Sequence, residues 1–215
     1  MSATLIDIKN FVADLIGTGD ATTAVPKRDR LINLARRRFY SEHKWSFLRV
    51  EEEAITITDQ LGELPSDYNI KFDPISVYTY DGNYKYMYKK VAWDDLEMYG
   101  TSDYIYAVDK VNKKIKISQT SVSEVKMDYQ YLPADKAVDT TEDTDEEPID
   151  DITPIGLLGL ALWFQSARQS VGRYQLYMDE YKEELVKWII ADTGSKSIKR
   201  FDRPVTLETG YRGRN

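Results

Sequence analysis

Apolar residues recur at helical spacing from the start of the chain. Leu5, Ile8, Val12, Leu15 and Ile16 fall on one stripe, and Gly17 and Gly19 stand where a helix would stop. The pattern predicts a first short helix over residues 5–16. Pro26 suits the first turn of a second helix running to about Lys44. In it Leu31, Leu34, Ala35 and Phe39 oppose Lys27, Arg28, Arg30, Arg36, Arg37 and Arg38, so it is amphipathic and strongly basic. After Trp45 the period shortens towards two. Val50, Ala54, Ile55 and Ile57 interleave with Thr and Glu, and Leu61-Gly62-Glu63-Leu64-Pro65 reads as a turn. Ile75–Tyr80 and Tyr84–Lys89 flank Asp81-Gly82-Asn83, a hairpin signature because Asp-Gly favours the primed turns that match strand twist. A helical turn over Trp93–Tyr99 precedes a second hairpin, Tyr104–Val108 with Lys114–Ser118 around Asn112. Glu124–Tyr131 is one more strand, for about five or six in all.

From Asp139 to Asp151 eight carboxylates occur in thirteen residues with no basic residue, which predicts a solvated loop. Thr153 and Pro154 begin a helix to about Val171. It is apolar almost all round through Leu157, Leu158, Leu160, Leu162 and Phe164, so it is expected to be buried on several sides, with Gly156 and Gly159 allowing close backbone approach. Gly172 or Arg173 allows a bend. Tyr177, Tyr181, Leu185, Trp188 and Ile189 then mark one face of a last amphipathic helix that ends near Thr193-Gly194. The order predicts an α+β fold: an antiparallel core of four helices with an inserted antiparallel β-meander. Its parts are a helical hairpin (1–46), a β-domain (47–138), an acidic loop (139–151), a second helical hairpin (152–193) and a basic arm (194–215).

Composition narrows the chemistry. The chain has 215 residues, 42% hydrophobic, enough for one core or for a core plus an insertion, and its net charge of −7 disfavours gripping a phosphate backbone. It contains no cysteine and a single histidine, His43, which excludes disulfide frameworks, thiolate nucleophiles and any metal site needing two imidazoles. No phosphate-cradling Gly motif follows a strand; Gly17-Thr18-Gly19 follows a helix instead. The acidic loop lacks the central glycine of a calcium loop, and Pro148 interrupts it. His43 stands at the end of the basic helix, where it serves the last carbonyls. The expectation is therefore no cofactor, no metal, no catalytic residue and no enzyme activity. Met1-Ser2-Ala3-Thr4 carries no basic leader, and the longest apolar run, Ile155–Phe164, is about half a membrane span, so no export or membrane partner is expected. Absence of cysteine fits assembly in a reducing cytoplasm.

Three features remain as candidate binding surfaces. Eleven of sixteen tyrosines lie between Tyr68 and Tyr131, and alternation puts Tyr84, Tyr86 and Tyr88 on one sheet face, suited to subunit contact or, as the competing reading, to an aromatic-lined carbohydrate site in a wall-degrading protein. Arg36, Arg37 and Arg38 are placed either in solvent or against a neighbouring copy's carboxylates. The final segment interleaves Ile198, Phe201, Val205, Leu207 and Tyr211 with Lys196, Lys199, Arg200, Arg203, Arg212 and Arg214. Against Asp202 and Glu208 this is a local charge of +4, which leaves −11 for the rest. Apolar anchors within a basic segment predict a docking arm.

Phe39-Tyr40-Ser41-Glu42-His43-Lys44-Trp45-Ser46-Phe47, then Leu64-Pro65-Ser66-Asp67-Tyr68, the strand Lys114-Ile115-Lys116-Ile117-Ser118 and the helix around Leu158–Arg168 occur in an order that resembles the head-to-tail connector, or adaptor, proteins of tailed bacteriophages. The resemblance covers most of residues 3–192; the Gln119-Thr120 continuation departs from the proline-containing strand end of that family. It implies a virion protein of the neck, between head and tail. A homo-oligomeric ring of about twelve copies would carry a carboxyl-terminal arm set against the portal protein, a tail or nozzle protein below, and DNA passing through the lumen without sequence-specific contact.

Overall fold

The computed structural model describes residues 3–17, 25–135, 147–167 and 171–194. Among the described residues four helices form one body: α1 (Leu5–Ile16), α2 (Pro26–Tyr40), α3 (Thr153–Ala167) and α4 (Val171–Thr193). The first helix begins where the Thr4 backbone N–H donates to Asp7 Oδ2 at 2.9 Å, satisfying one orphan donor. It ends at Gly17, whose φ of 70° is left-handed and whose N–H donates to Ala13 O. The second starts with Pro26 at its first turn and stops at Tyr40, short of Lys44, because the Trp45 indole turns back to donate to Phe39 O at 3.1 Å. Trp45 is fully buried, stacked between Phe39 and Phe47 and edge-on to Trp188 of α4.

Ten of the fifteen α3 residues are buried, and α3 packs against α1, α2 and α4. Its all-round apolar sequence is what a helix touching three others needs, each Leu or Ile side chain contributing about 1.5–3 kcal/mol on burial. Gly156 is required by sterics: a Cβ there would lie 2.3 Å from Cδ1 of Phe11 on α1. Gly172, expected at a bend, sits inside α4.

The buried face of α2 is rotated from the expected one. Leu34 is 43% exposed, whereas Arg28, Asp29, Asn33 and Arg36 are buried beside Ile32, Ala35 and Phe39. The cations go inward because carboxylates accompany them. Asp29 is 2.9 Å from Arg28 and 3.5 Å from Lys9, and Glu147 meets Arg36.

Between α2 and α3 the described residues form eight strands: β1 (Arg49–Thr56), β2 (Leu61–Glu63), β3 (Ser76–Asp81), β4 (Tyr84–Met87), β5 (Lys89–Lys90), β6 (Ile105–Asp109), β7 (Lys114–Ile117) and β8 (Glu124–Gln130). They make two four-stranded sheets, ordered β1-β8-β3-β4 and β2-β7-β6-β5. The expected meander is thus corrected. The first sheet pairs the first and last strands, and β5 runs parallel to β6. Two local causes account for the extra strands. The run Tyr84–Lys89 divides at Tyr88, with β4 in one sheet and β5 in the other. Leu61–Glu63 is strand, not turn; the reversal occurs at Asp59 and Gln60, with φ of 50° and 67°. The Gly82-Asn83 hairpin is as expected, with Gly82 at φ 57°. Ile55, Val77, Val125 and Met127 of the first sheet meet Tyr106, Ile115 and Ile117 of the second in a separate core, and Tyr131 packs against both cores.

Candidate functional site

Of the basic triplet, Arg36 points inward and is 1% exposed. Its Nε is 2.8 Å from Glu147 Oε1, and its Nη1 donates to Asn33 Oδ1 and Ala134 O, both at 3.1 Å. The Tyr40 hydroxyl donates to Glu147 Oε2 at 2.8 Å, and the Glu147 backbone N–H donates to Ala3 O. Burial, with the carboxylate beside it, pushes the Tyr40 phenol far above its ordinary range and keeps it a donor. Arg36 is therefore committed within the chain and presents nothing to a neighbour. Glu147, assigned above to a solvated loop, is a core residue whose carboxylate neutralises that arginine. Arg37 and Arg38 do lie at the surface, each about half exposed and paired with Asp135 at 3.1 Å and Glu42 at 3.5 Å.

The three alternating tyrosines stand opposite Asp81, Thr79 and Val77 on one face of the hairpin, but their exposure differs. Tyr84 is 73% exposed, Tyr86 stacks on Tyr104 at 4.9 Å, and Tyr88 is buried with its hydroxyl bonded to the Gln119 side chain. The face they share runs from solvent at Tyr84 into the β core at Tyr88, which lies opposite Val77. Burial and Tyr104 push the Tyr88 phenol up to about 12. A cavity of about 490 Å³ lies nearby, lined by Thr79, Tyr80, Asp81, Tyr104, Gln119 and Glu124 among others. Its Glu124 carboxylate is paired with Lys126 at 3.2 Å, and the Tyr104 ring is engaged by Tyr86 and Tyr88. The Tyr80 ring is met edge-on by Tyr78 at 5.7 Å, so the cavity is a poor platform for a sugar.

His43 Nε2 stands 3.2 Å from Asp192 Oδ2, and the Ser46 backbone N–H donates to the same carboxylate at 3.0 Å. The Ser46 hydroxyl donates to Asp192 and not to the imidazole, so the trio lacks the nucleophile-to-base hydrogen bond of a hydrolytic triad. The contact pins the last turn of α4 to the segment joining α2 to β1. Among the described residues no group of histidine, aspartate and glutamate is arranged to hold a metal ion, and no helix is long and apolar enough to cross a membrane.

The family model for SU10 adaptor protein matches residues 3–204, which takes in both helical hairpins and the whole β-domain. The chain belongs to the SU10 adaptor protein family. This is a family of phage head-to-tail adaptors, and its role in the bacteriophage is structural. No curated protein matches the adaptor.

The predicted arm residues Lys196, Lys199, Arg200, Phe201, Arg203, Val205, Leu207, Tyr211, Arg212 and Arg214 lie outside the described residues, as do positions 136–146 of the acidic stretch. Three residues that organise the adaptor escaped sequence reasoning: Glu147, Asp192 and Asp128, the last accepting from Ser76, Arg49 and the Glu52 backbone N–H. For Glu147 a signal existed. It directly precedes Pro148-Ile149, and Ile149 is buried, so the return to the core begins two residues before the acidic run ends.

Proposed function

We propose that this adaptor is a non-enzymatic ring subunit of the virion neck, about twelve copies of which join the portal protein to the tail or nozzle protein and continue the DNA channel. The family match over residues 3–204 carries the reading. The sign of the charge supports it. A body at −11 lets phosphate pass without adhesion, while the +4 arm is suited to an acidic protein surface. The Ser46 hydroxyl and the His43 imidazole are both engaged by the Asp192 carboxylate, which supports a role without turnover. Assembly takes place in the host cytoplasm before the particle is released.

Two measurements test the proposal. The mass of the purified full-length chain, with and without its cognate portal protein, is expected to rise to that of a ring on contact; a chain that stays monomeric with portal present refutes the ring. Truncation after Gly194 is expected to leave both cores folded and to abolish portal binding, and unchanged affinity of the shortened chain refutes the arm.

A further inference from the structure

A ring of identical copies needs two different patches on each copy that fit one another, because a heterologous contact repeats by rotation until it closes. The first sheet has β1 at one edge and β4 at the other, and the two edges differ in chemistry. On the β1 side Glu51, Glu52 and Glu53 are exposed in succession, with exposed Glu63 on β2. These two strands are the arms of one hairpin, yet they enter different sheets. They touch at Gly62, where a Cβ would stand 2.9 Å from Thr56 O. Beyond that point they diverge, leaving a groove of about 550 Å³ whose lining includes Glu53, Ala54, Leu61, Glu63, Pro65 and Lys114. Edge strands of two sheets flank this groove, with their outward backbone groups open to a further strand.

The opposite edge is basic and aromatic. Around the β3–β4 hairpin Tyr84 is 73%, Met87 54% and Tyr80 50% exposed, and Lys85 and Lys89 are exposed beside them. Lys85 Nζ is held 3.4 Å from the Tyr78 ring, which fixes one cation on the hairpin's outer face. The register puts Tyr80, Lys85 and Met87 on one face of the hairpin and Tyr84 on the other, with Asp81 exposed at the turn, so the hairpin offers an apolar and basic face and, opposite it, an exposed ring. Strand direction fits as well. Neighbours are antiparallel throughout this sheet, so β4 runs opposite to β1, and a copy related by a small rotation brings its β1 antiparallel to the first copy's β4.

We propose that the β3–β4 hairpin of one copy docks into the groove between β1 and β2 of the next, so that the ring closes through its β-domains. Lys85 and Lys89 then face Glu51, Glu53 and Glu63, and the Tyr84 ring covers Ala54, Leu61 and Pro65. Acid against acid repels at a β1–β1 contact, which selects the head-to-tail arrangement over a two-fold one. The proposal deepens the ring reading and rests on it.

Because the chain has no cysteine, the contact can be tested by crosslinking without background. Tyr84→Cys, Glu53→Cys and the variant carrying both are oxidised in the full-length chain with cognate portal protein present, with circular dichroism as the control on folding. The double variant is expected to give a covalent ladder. A mixture of the two single variants is expected to give dimers and nothing larger, since each pair shares one productive contact. Self-crosslinking of Tyr84→Cys alone overturns the proposal in favour of a two-fold contact. Charge provides a second readout. Glu53→Lys or Lys85→Glu alone is expected to cut ring yield by about tenfold or more, and the two together in one chain are expected to restore it. If the unaltered chain forms rings by mass while the double-cysteine chain gives no ladder, the ring stands and this interface falls. If the unaltered chain forms no ring, the ring reading itself has failed.

Discussion

Replacing Glu147 with alanine tests the internal ion pair most directly. The change leaves the Arg36 guanidinium, 1% exposed, without its carboxylate, and the buried Tyr40 hydroxyl without its acceptor. Removing one partner of a buried pair costs about 3–5 kcal/mol, and an unsatisfied buried hydroxyl about 1–3 kcal/mol. These costs overlap, and two hydrogen bonds from Arg36 survive, to Asn33 and Ala134. The net loss is placed at about 4 kcal/mol, which for a chain of this length lowers Tm by about 8–16 °C. Thermal unfolding followed by far-ultraviolet circular dichroism reads the shift. Tyr40→Phe, which deletes only the hydroxyl, is expected to cost about 1 kcal/mol. The decisive variant combines Arg36→Met with Glu147→Leu. If the cost of Glu147→Ala comes from a stranded charge, removing both charges recovers much of the lost stability, since apolar pairs of similar volume replace buried ion pairs at little cost. A Tm drop under about 2 °C for Glu147→Ala, or a double variant worse than either single one, refutes the reasoning.

Other perturbations separate the two cores. Burial works against ionisation of Asp128, but the Glu52 N–H, the Ser76 hydroxyl and Arg49 together hold its carboxyl below the ordinary range. A depressed carboxyl stabilises the fold above about pH 4 and loses that contribution as pH falls through its lower folded value, so Asp128→Asn is expected to flatten the acid limb of the stability profile, read by urea unfolding at stepped pH. Burial pushes the phenols of Tyr88 and Tyr106 up to about 12, so their contribution is complete below pH 10 and is lost between about pH 10 and 12, which tyrosinate absorbance is expected to show as a cooperative alkaline unfolding. Gly62→Val is expected to cost about 1–3 kcal/mol in denaturant midpoint, because its Cβ meets Ile55 Cγ2 and Ile57 Cδ1 at 2.8 Å and the Thr56 carbonyl at 2.9 Å.

Legibility in the sequence followed how local each cause was. The first helix and its glycine stop, the Pro26 start, the all-round burial of α3 and the Gly82 hairpin depend on neighbours a few residues away, and all were readable. The β-meander was not, because which strands pair depends on partners far along the chain; β1 and β8 are more than sixty residues apart. Amphipathicity misled on α2 for a related reason. Arg28 and Arg36 look like a solvated face until Asp29 and Glu147 are known to lie beside them, and Glu147 comes from beyond the β-domain. Alternation gave the face of Tyr88 but not its burial, which comes from the second sheet lying over the end of that strand. Of the residues offered as subunit contacts, Tyr84, Arg37 and Arg38 are exposed, whereas Tyr88 and Arg36 are buried within the chain.

The insertion of the β-domain accounts for the pairing of β1 with β8. A β-domain inserted between two helices leaves and rejoins the helical body through two neighbouring crossings, so its first and last strands begin and end side by side. The hydrogen bonds follow that constraint: Tyr131 N–H donates to Leu48 O at 3.0 Å at the crossing itself, and β1 pairs β8 from Arg49 with Gln130 onward. Arg36 then reaches from α2 to Ala134 on the outgoing crossing and to Glu147 at the start of the next helical segment, tying both to the same helix. Asp192 does the equivalent for the other crossing, holding Ser46 and His43 against the end of α4. Each passage between the two bodies is thus fixed by a carboxylate on the helical side. The two carboxylates resist bending at the places where a single covalent chain would otherwise be free to hinge.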